Sequence, residues 1–179
     1  MPITRRRILQ TAAFAVSAPA LAEPPSIAAL QSMRNRVRPI EAAERLARLE
    51  RARALMRRHK LDAMLLTGGS SLLYFTAARW GQSERFFGTL IPATGRGLCV
   101  CPSFEEGRAR EQLERGPLAD ARVVTWAEDE NPYRVLAAGM QSIGLSTATL
   151  GIEEHTPFVF ADAIAKAAPQ LKIASATPV

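Results

Sequence analysis

The stretch LDAMLLTGGSSLLYFT, residues 61–76, decides how this chain is to be read. Asp62–Thr67 is an apolar run of strand length, and the Gly68-Gly69 pair stops it, so it predicts a short buried strand. Ser70–Thr76 then reads as a brief helical turn. Upstream, Glu41–His59 carries Ala42, Leu46, Leu49 and Met56 at i, i+4, i+7 and i+14, one apolar stripe of a helical period. Its other face is charged, with Glu41/Arg45 and Glu44/Arg48 at i, i+4 in the favourable order. Acids interleave the arginines and aromatics do not, so this face reads as solvated rather than as a seat for an anionic partner.

Downstream the alternation continues. Phe86–Ile91 and Gly97–Cys101 are strands around the Pro92–Gly95 turn. Phe104–Leu113 is a charged helix stopped by Gly116-Pro117, and Ala121–Trp126 is a strand. Asn131–Ile143 is a helix opened by Asn131-Pro132 as N-cap and first residue. Thr149–Glu153 is a strand, Pro157–Ala168 a helix and Leu171–Ala174 a last strand. Strands alternating with such helices predict a three-layer α/β domain, with a mixed central sheet of five or six strands covered on both faces.

Three segments follow from this reading. Residues 41–179 are the α/β domain. Residues 23–40 are a linker or arm, punctuated by Pro24, Pro25 and Pro39. Residues 1–22 read as an export signal. Arg5, Arg6 and Arg7 supply a basic start, Ile8–Val16 an apolar run and Ala20-Leu21-Ala22 a small-residue cleavage pattern, with cleavage after Ala22. Arg5-Arg6 with Ile8-Leu9 behind them resembles a twin-arginine signal, the Sec route being the alternative. The run is too short for a membrane-spanning helix. An exported, periplasmic or secreted protein without a stable membrane span is expected, and about 157 residues after cleavage suffice for a real core.

Charge supports the same division. Residues 1–60 hold 13 Lys/Arg against 4 Asp/Glu, and residues 61–179 hold 10 against 13. The net +6 therefore comes from the first third and is no persistent basic face, so no nucleic-acid partner is expected.

Few residues suggest chemistry. Cys99 and Cys101, two apart on a strand, share a face with Cα atoms about 6.5–7 Å apart, the outer limit for a disulfide. They read as small buried hydrophobes. Of the two histidines, His59 ends the first helix, and His155 follows Glu153-Glu154 at a strand-to-helix junction, which gives two metal ligands at most. Gly68-Gly69 and Gly95-Arg96-Gly97 match no phosphate-binding loop, and no nucleophile elbow is present.

A family resemblance covers what these motifs leave open. From about Pro39 to Val179 the order of pieces resembles the N-terminal domain of the creatinase, prolidase and aminopeptidase P superfamily. The likeness rests on the opening EAAERLARLERARALMRRHKLDAMLLTGGSSLLYFTAARW with its sequel to Glu111, on EDENPYRVLAAGM (128–140) and on TLGIEEHTPF (149–158). The chain departs from the family pattern at Ala77-Ala78, where a glycine often closes the turn.

The resemblance implies that catalysis belongs to a second, C-terminal pita-bread domain, whose Asp, Asp, His, Glu and Glu ligands hold two divalent metals, manganese, cobalt or zinc. None of those five ligands is assignable here, so neither a catalytic nor a metal residue is expected in this chain. A linker to that domain would begin after LKIASATPV (171–179). The chain would thus be a piece of an exported Xaa-Pro metallopeptidase or a truncated product, inactive alone. Its partners would be the catalytic domain, a second subunit in a homodimer and proline-containing peptides. The resemblance further implies that the loop TAARWGQSERFF, residues 76–87, reaches the substrate cleft. Trp80 would wall a pocket for a prolyl ring, and Arg79 or Arg85 would meet a peptide carboxylate. The alternative is a stand-alone, non-catalytic binding module.

Overall fold

The computed structural model describes residues 24–179; the expected export signal, with Arg5, Arg6 and the cleavage point after Ala22, lies outside the described residues. In chain order, residues 40–179 run α1 (Ala42–Arg58), β1 (Ala63–Leu66), α2 (Ser70–Thr76), β2 (Gly88–Pro92), β3 (Leu98–Pro102), α3 (Glu106–Glu114), β4 (Arg122–Trp126), α4 (Pro132–Ser142), β5 (Thr149–Ile152), α5 (Phe158–Ala167) and β6 (Lys172–Ser175). Residues 24–39 belong to a separate unit, with one helical turn at Pro25–Ala28, a 3-10 turn at Arg34–Arg36 and no buried residue.

The sheet order is β4-β3-β2-β1-β5-β6. β2 is antiparallel to β1 and β3, while β3/β4, β1/β5 and β5/β6 are parallel. The mixed six-stranded sheet is the one the alternation predicts. The period of two along each strand sorts its side chains. Met64 and Leu66 pack with Leu49, Ala52 and Met56 of α1 and Ala109 and Leu113 of α3. Ala63 and Leu65 pack on the opposite face with Leu136 and Met140 of α4 and Phe160 and Ile164 of α5. Burying each large apolar side chain contributes roughly 1.5–3 kcal/mol, and both layers are needed because the central strands are buried throughout.

Local chemistry fixes the ends. The Asp62 carboxylate accepts the Thr149 N–H at 2.7 Å while the Asp62 N–H donates to the Thr149 carbonyl at 3.0 Å, setting the β1/β5 register at its first residue. Asn131 Oδ1 accepts the amides of Tyr133 and Arg134 at 3.0 and 3.2 Å, the N-cap expected for α4. Cys99 and Cys101 are free and fully buried. The hydrogen bond with Cys101 and burial together push the Cys99 thiol well up.

The stripe on α1 needs correction. Ala42 is exposed and Leu46 is 51% exposed, and the buried face is Leu49, Ala52 and Met56. The first turn of α1 therefore presents its apolar residues to solvent, and burial of the helix begins only at Leu49. The arginines of α1 are also not simply solvated. Arg45 Nη1 donates to the Leu73 carbonyl at 2.6 Å, Arg53 to Gly95 O at 2.9 Å and Arg57 to Ala93 O at 3.0 Å. They tie α1 to carbonyls near the end of α2 and in the β2–β3 turn.

Ala77 closes α2 in the left-handed region, with φ of +66°, where a Cβ is disfavoured by about 1 kcal/mol or more. Ala77→Gly should raise stability by about 1 kcal/mol, an increase of roughly 3 °C in the unfolding midpoint of a domain this size. A calorimetric scan that finds the variant unchanged or less stable would show the turn to be otherwise formed.

Candidate functional site

Five of the six strands run in one direction, so β1, β3, β4, β5 and β6 end, and β2 begins, at one edge of the sheet. Open α/β sheets present ligand sites at such carboxyl edges. The segment 77–87 lies on this edge because it leads from α2 into β2.

Its path is held by backbone contacts. The Gly69 N–H donates to the Trp80 carbonyl at 2.9 Å, and Gln82 Nε2 donates to the Gly68 carbonyl at 3.3 Å. The two chains pass so closely that a Cβ on Gly68 would lie 2.7 Å from the carbonyl carbon and oxygen of Gly81. Gly69 itself has φ +109°, a conformation that side chains resist. The Gly68-Gly69 pair that signals the end of a strand thus also admits the neighbouring loop.

The three residues singled out on this loop sit differently. Trp80 is only 6% exposed; its indole stacks on Phe87 with centroids 4.1 Å apart, and the Arg108 guanidinium lies over it at 4.1 Å. Two groups that close cannot share one face of the ring, so both faces are covered. Arg79 is exposed, and its amide donates to Gln112 Oε1 at 2.9 Å. Arg85 is exposed and forks between Glu84 at 2.7 Å and Glu128 at 3.0 Å, with its guanidinium 5.6 Å from the Phe104 ring. The hydrogen bond that Arg85 donates to Glu128, with the charge of that carboxylate, holds Arg85 still more firmly protonated. Phe86 and Phe87 fix the end of the loop on opposite faces of the sheet. Phe86 meets Phe160 edge-on at 5.4 Å, and its carbonyl accepts the Trp126 indole N–H at 3.0 Å.

A second feature of this edge escapes sequence reasoning. Ser71 donates its hydroxyl to Glu153 Oε1, and His155 Nδ1 lies 3.6 Å from the same oxygen. They rim a cavity of about 170 Å³ floored by Met64, Leu66, Phe75 and Val179. Glu153 Oε2 is buried without a partner. The hydroxyl is bound by the carboxylate and not by the imidazole, so the three residues do not form a nucleophile with its base. Only EEH at 153–155 hints at the cluster in sequence, since Ser71 stands 82 residues away.

A two-metal centre needs several carboxylates and a histidine converging on it. Among the described residues no three His, Cys, Asp or Glu side chains come together in this way.

The Creatinase/Prolidase N-terminal domain family model matches residues 48–179. The chain belongs to that family. An uncharacterized peptidase of Schizosaccharomyces pombe is 38% identical over 124 residues, covering 63% of this chain and 27% of that one. Among solved structures, dipeptidase PepE from Mycobacterium ulcerans aligns with a TM-score of 0.66 at 23% identity, over 76% of this chain and 35% of that chain. The Creatinase/Prolidase N-terminal domain of an X-Pro dipeptidase from Streptococcus pyogenes aligns with a TM-score of 0.61 at 16% identity, over 74% and 95%. The creatinase/prolidase N-terminal domain described here therefore spans about a quarter to a third of the longer peptidases it matches, and nearly all of the isolated domain. No helix among the described residues is long and apolar enough to cross a membrane.

Proposed function

We propose that this creatinase/prolidase N-terminal domain serves as the non-metal half of an exported Xaa-Pro metallopeptidase, inactive alone and acting through a catalytic C-terminal domain. The observation that carries the reading is the family match over residues 48–179, taken with relatives named as a prolidase and as a dipeptidase, of which the matched part is only 35–36%. The two divalent metals, manganese, cobalt or zinc, belong in this reading to the other domain. Loop 77–87 forms one wall of the substrate cleft, in the same subunit or in the partner of a homodimer. There Arg79 and Arg85 attract the carboxylate of a proline-containing peptide. Trp80 stiffens the wall that faces the prolyl ring.

The test is reconstitution. The 179-residue chain supplied with manganese, cobalt or zinc should hydrolyse no Xaa-Pro dipeptide, and joined to a pita-bread domain from a relative it should support turnover. Metal-dependent hydrolysis by the chain alone would sink the assignment and direct attention to His155.

Export has its own check. Arg5→Lys with Arg6→Lys should abolish translocation of a folded reporter fused behind residue 30. Continued export of the unfolded reporter would leave a Sec signal in place of the twin-arginine one.

A further inference from the structure

The arm ahead of the domain leaves four large apolar side chains in water. Ile27, Leu30, Met33 and Val37 are between 47% and 76% exposed. Between Pro24 and Ile40 there is no acidic residue, while Arg34, Arg36 and Arg38 are all present and exposed. The spacing of the four is not random. At 100° per residue they fall within one sector of about 120°, which also takes in Ser26, and Gln31, Ser32 and Asn35 fall outside it. Arg34 and Arg38 lie on either side of one border of that sector, and Arg36 lies about 60° beyond the other. Long basic side chains at such borders can lay their stems on an apolar surface and lift their charge into a polar layer.

We propose that residues 25–38 form an amphipathic helix that lies on an anionic lipid surface. Pro25 at the first helical position and Pro39 just past the end delimit it. A helix of this length is marginal in water, which accords with the isolated turns at Pro25–Ala28 and Arg34–Arg36. An interface supplies what is missing: an apolar side for the four residues and negative headgroups for the three arginines. Pairing with a second arm would cover the apolar sector but set arginines against arginines with no acid between them. The inference does not depend on the peptidase reading.

Vesicle co-sedimentation tests it, with the full 179-residue chain and with a chain beginning at Glu23, on vesicles of equal phosphatidylglycerol and phosphatidylcholine and on phosphatidylcholine alone. Both chains should bind the anionic vesicles, with a gain of helical circular dichroism for the shorter one. Replacing Arg34, Arg36 and Arg38 by Gln should weaken binding roughly 100-fold, at about a factor of five per charge near the surface. Leu30→Glu with Met33→Glu should abolish it, and 0.5 M salt should weaken binding of the unsubstituted chain. The thermal midpoint of the domain should not move in either variant, which separates lost binding from lost folding. Equal binding to the uncharged vesicles, binding that vanishes when residues 1–22 are removed, or binding indifferent to these substitutions would each overturn the proposal. So would self-association without lipid that Leu30→Glu relieves, since that would assign the face to a second copy.

Discussion

Gly116→Ala should unfold the domain at ordinary temperatures or lower its stability by on the order of 4 kcal/mol or more, a magnitude reserved for a few identifiable mechanisms. A Cβ built on Gly116 would lie 1.8 Å from the Thr76 carbonyl oxygen, 2.8 Å from its carbonyl carbon and 3.3 Å from the Ala77 Cβ. Backbone, not the tip of a flexible side chain, stands in the way. Nor can Thr76 yield: it is fully buried, its hydroxyl donates to the Leu72 carbonyl at 2.6 Å and accepts the Ala78 N–H at 3.1 Å. Moving the carbonyl aside would break that bracket at the point where the chain turns left-handed at Ala77. Gly107→Ala in α3 is the matched control, because nothing lies within 4 Å of the added methyl. It should be neutral or stabilising by up to about 1 kcal/mol. Denaturant unfolding of the two variants side by side decides the matter, and equal midpoints would show that 76–77 and 116 do not touch as described.

That contact also shows where sequence reasoning ends. Gly116-Pro117 is legible as a helix stop because the stop is a local property of the two residues. The approach of Gly116 to Thr76 joins positions 40 apart, and no local pattern encodes it. The same division holds across the domain. Strands β1, β2 and β3 are legible because each is a short apolar run close to Gly or Pro, and the α4 cap because Asn131-Pro132 is adjacent to what it caps. The α1 stripe is only half legible: periodicity gives a face, but Leu46 turns out exposed because the helix outruns the layer it covers. The α1 arginines read as a solvated face, since a backbone carbonyl is an acceptor that leaves no mark on the sequence. Among the candidate site residues, Arg79 and Arg85 are exposed on the carboxyl edge. The burial of Trp80 is not readable from ARWGQSE, because its coverings, Phe87 and Arg108, come from β2's approach and from α3.

Trp80→Ala should cost about 3–5 kcal/mol, the usual range for emptying a buried aromatic site, and lower the unfolding midpoint by roughly 10 °C in a domain of this length. The indole is nearly buried and both its faces are covered, while the backbone carbonyl that accepts the Gly69 N–H is kept in the variant. Removing it leaves a void under the loop and strips Arg108 of its aromatic partner. Arg79→Ala and Arg85→Ala should leave the midpoint within about 2 °C, because exposed side chains contribute little. In an assembled peptidase the three variants should therefore separate. Either arginine variant should raise KM for dipeptides with an unchanged midpoint and metal content. Trp80→Ala should lose stability first and turnover with it, and Trp80→Phe, which keeps a ring between Phe87 and Arg108, should recover much of both. A Trp80→Ala protein as stable as the parent but poorer in KM would mean that the indole stands open to substrate, and that the stack with Phe87 and Arg108 is not what holds this loop.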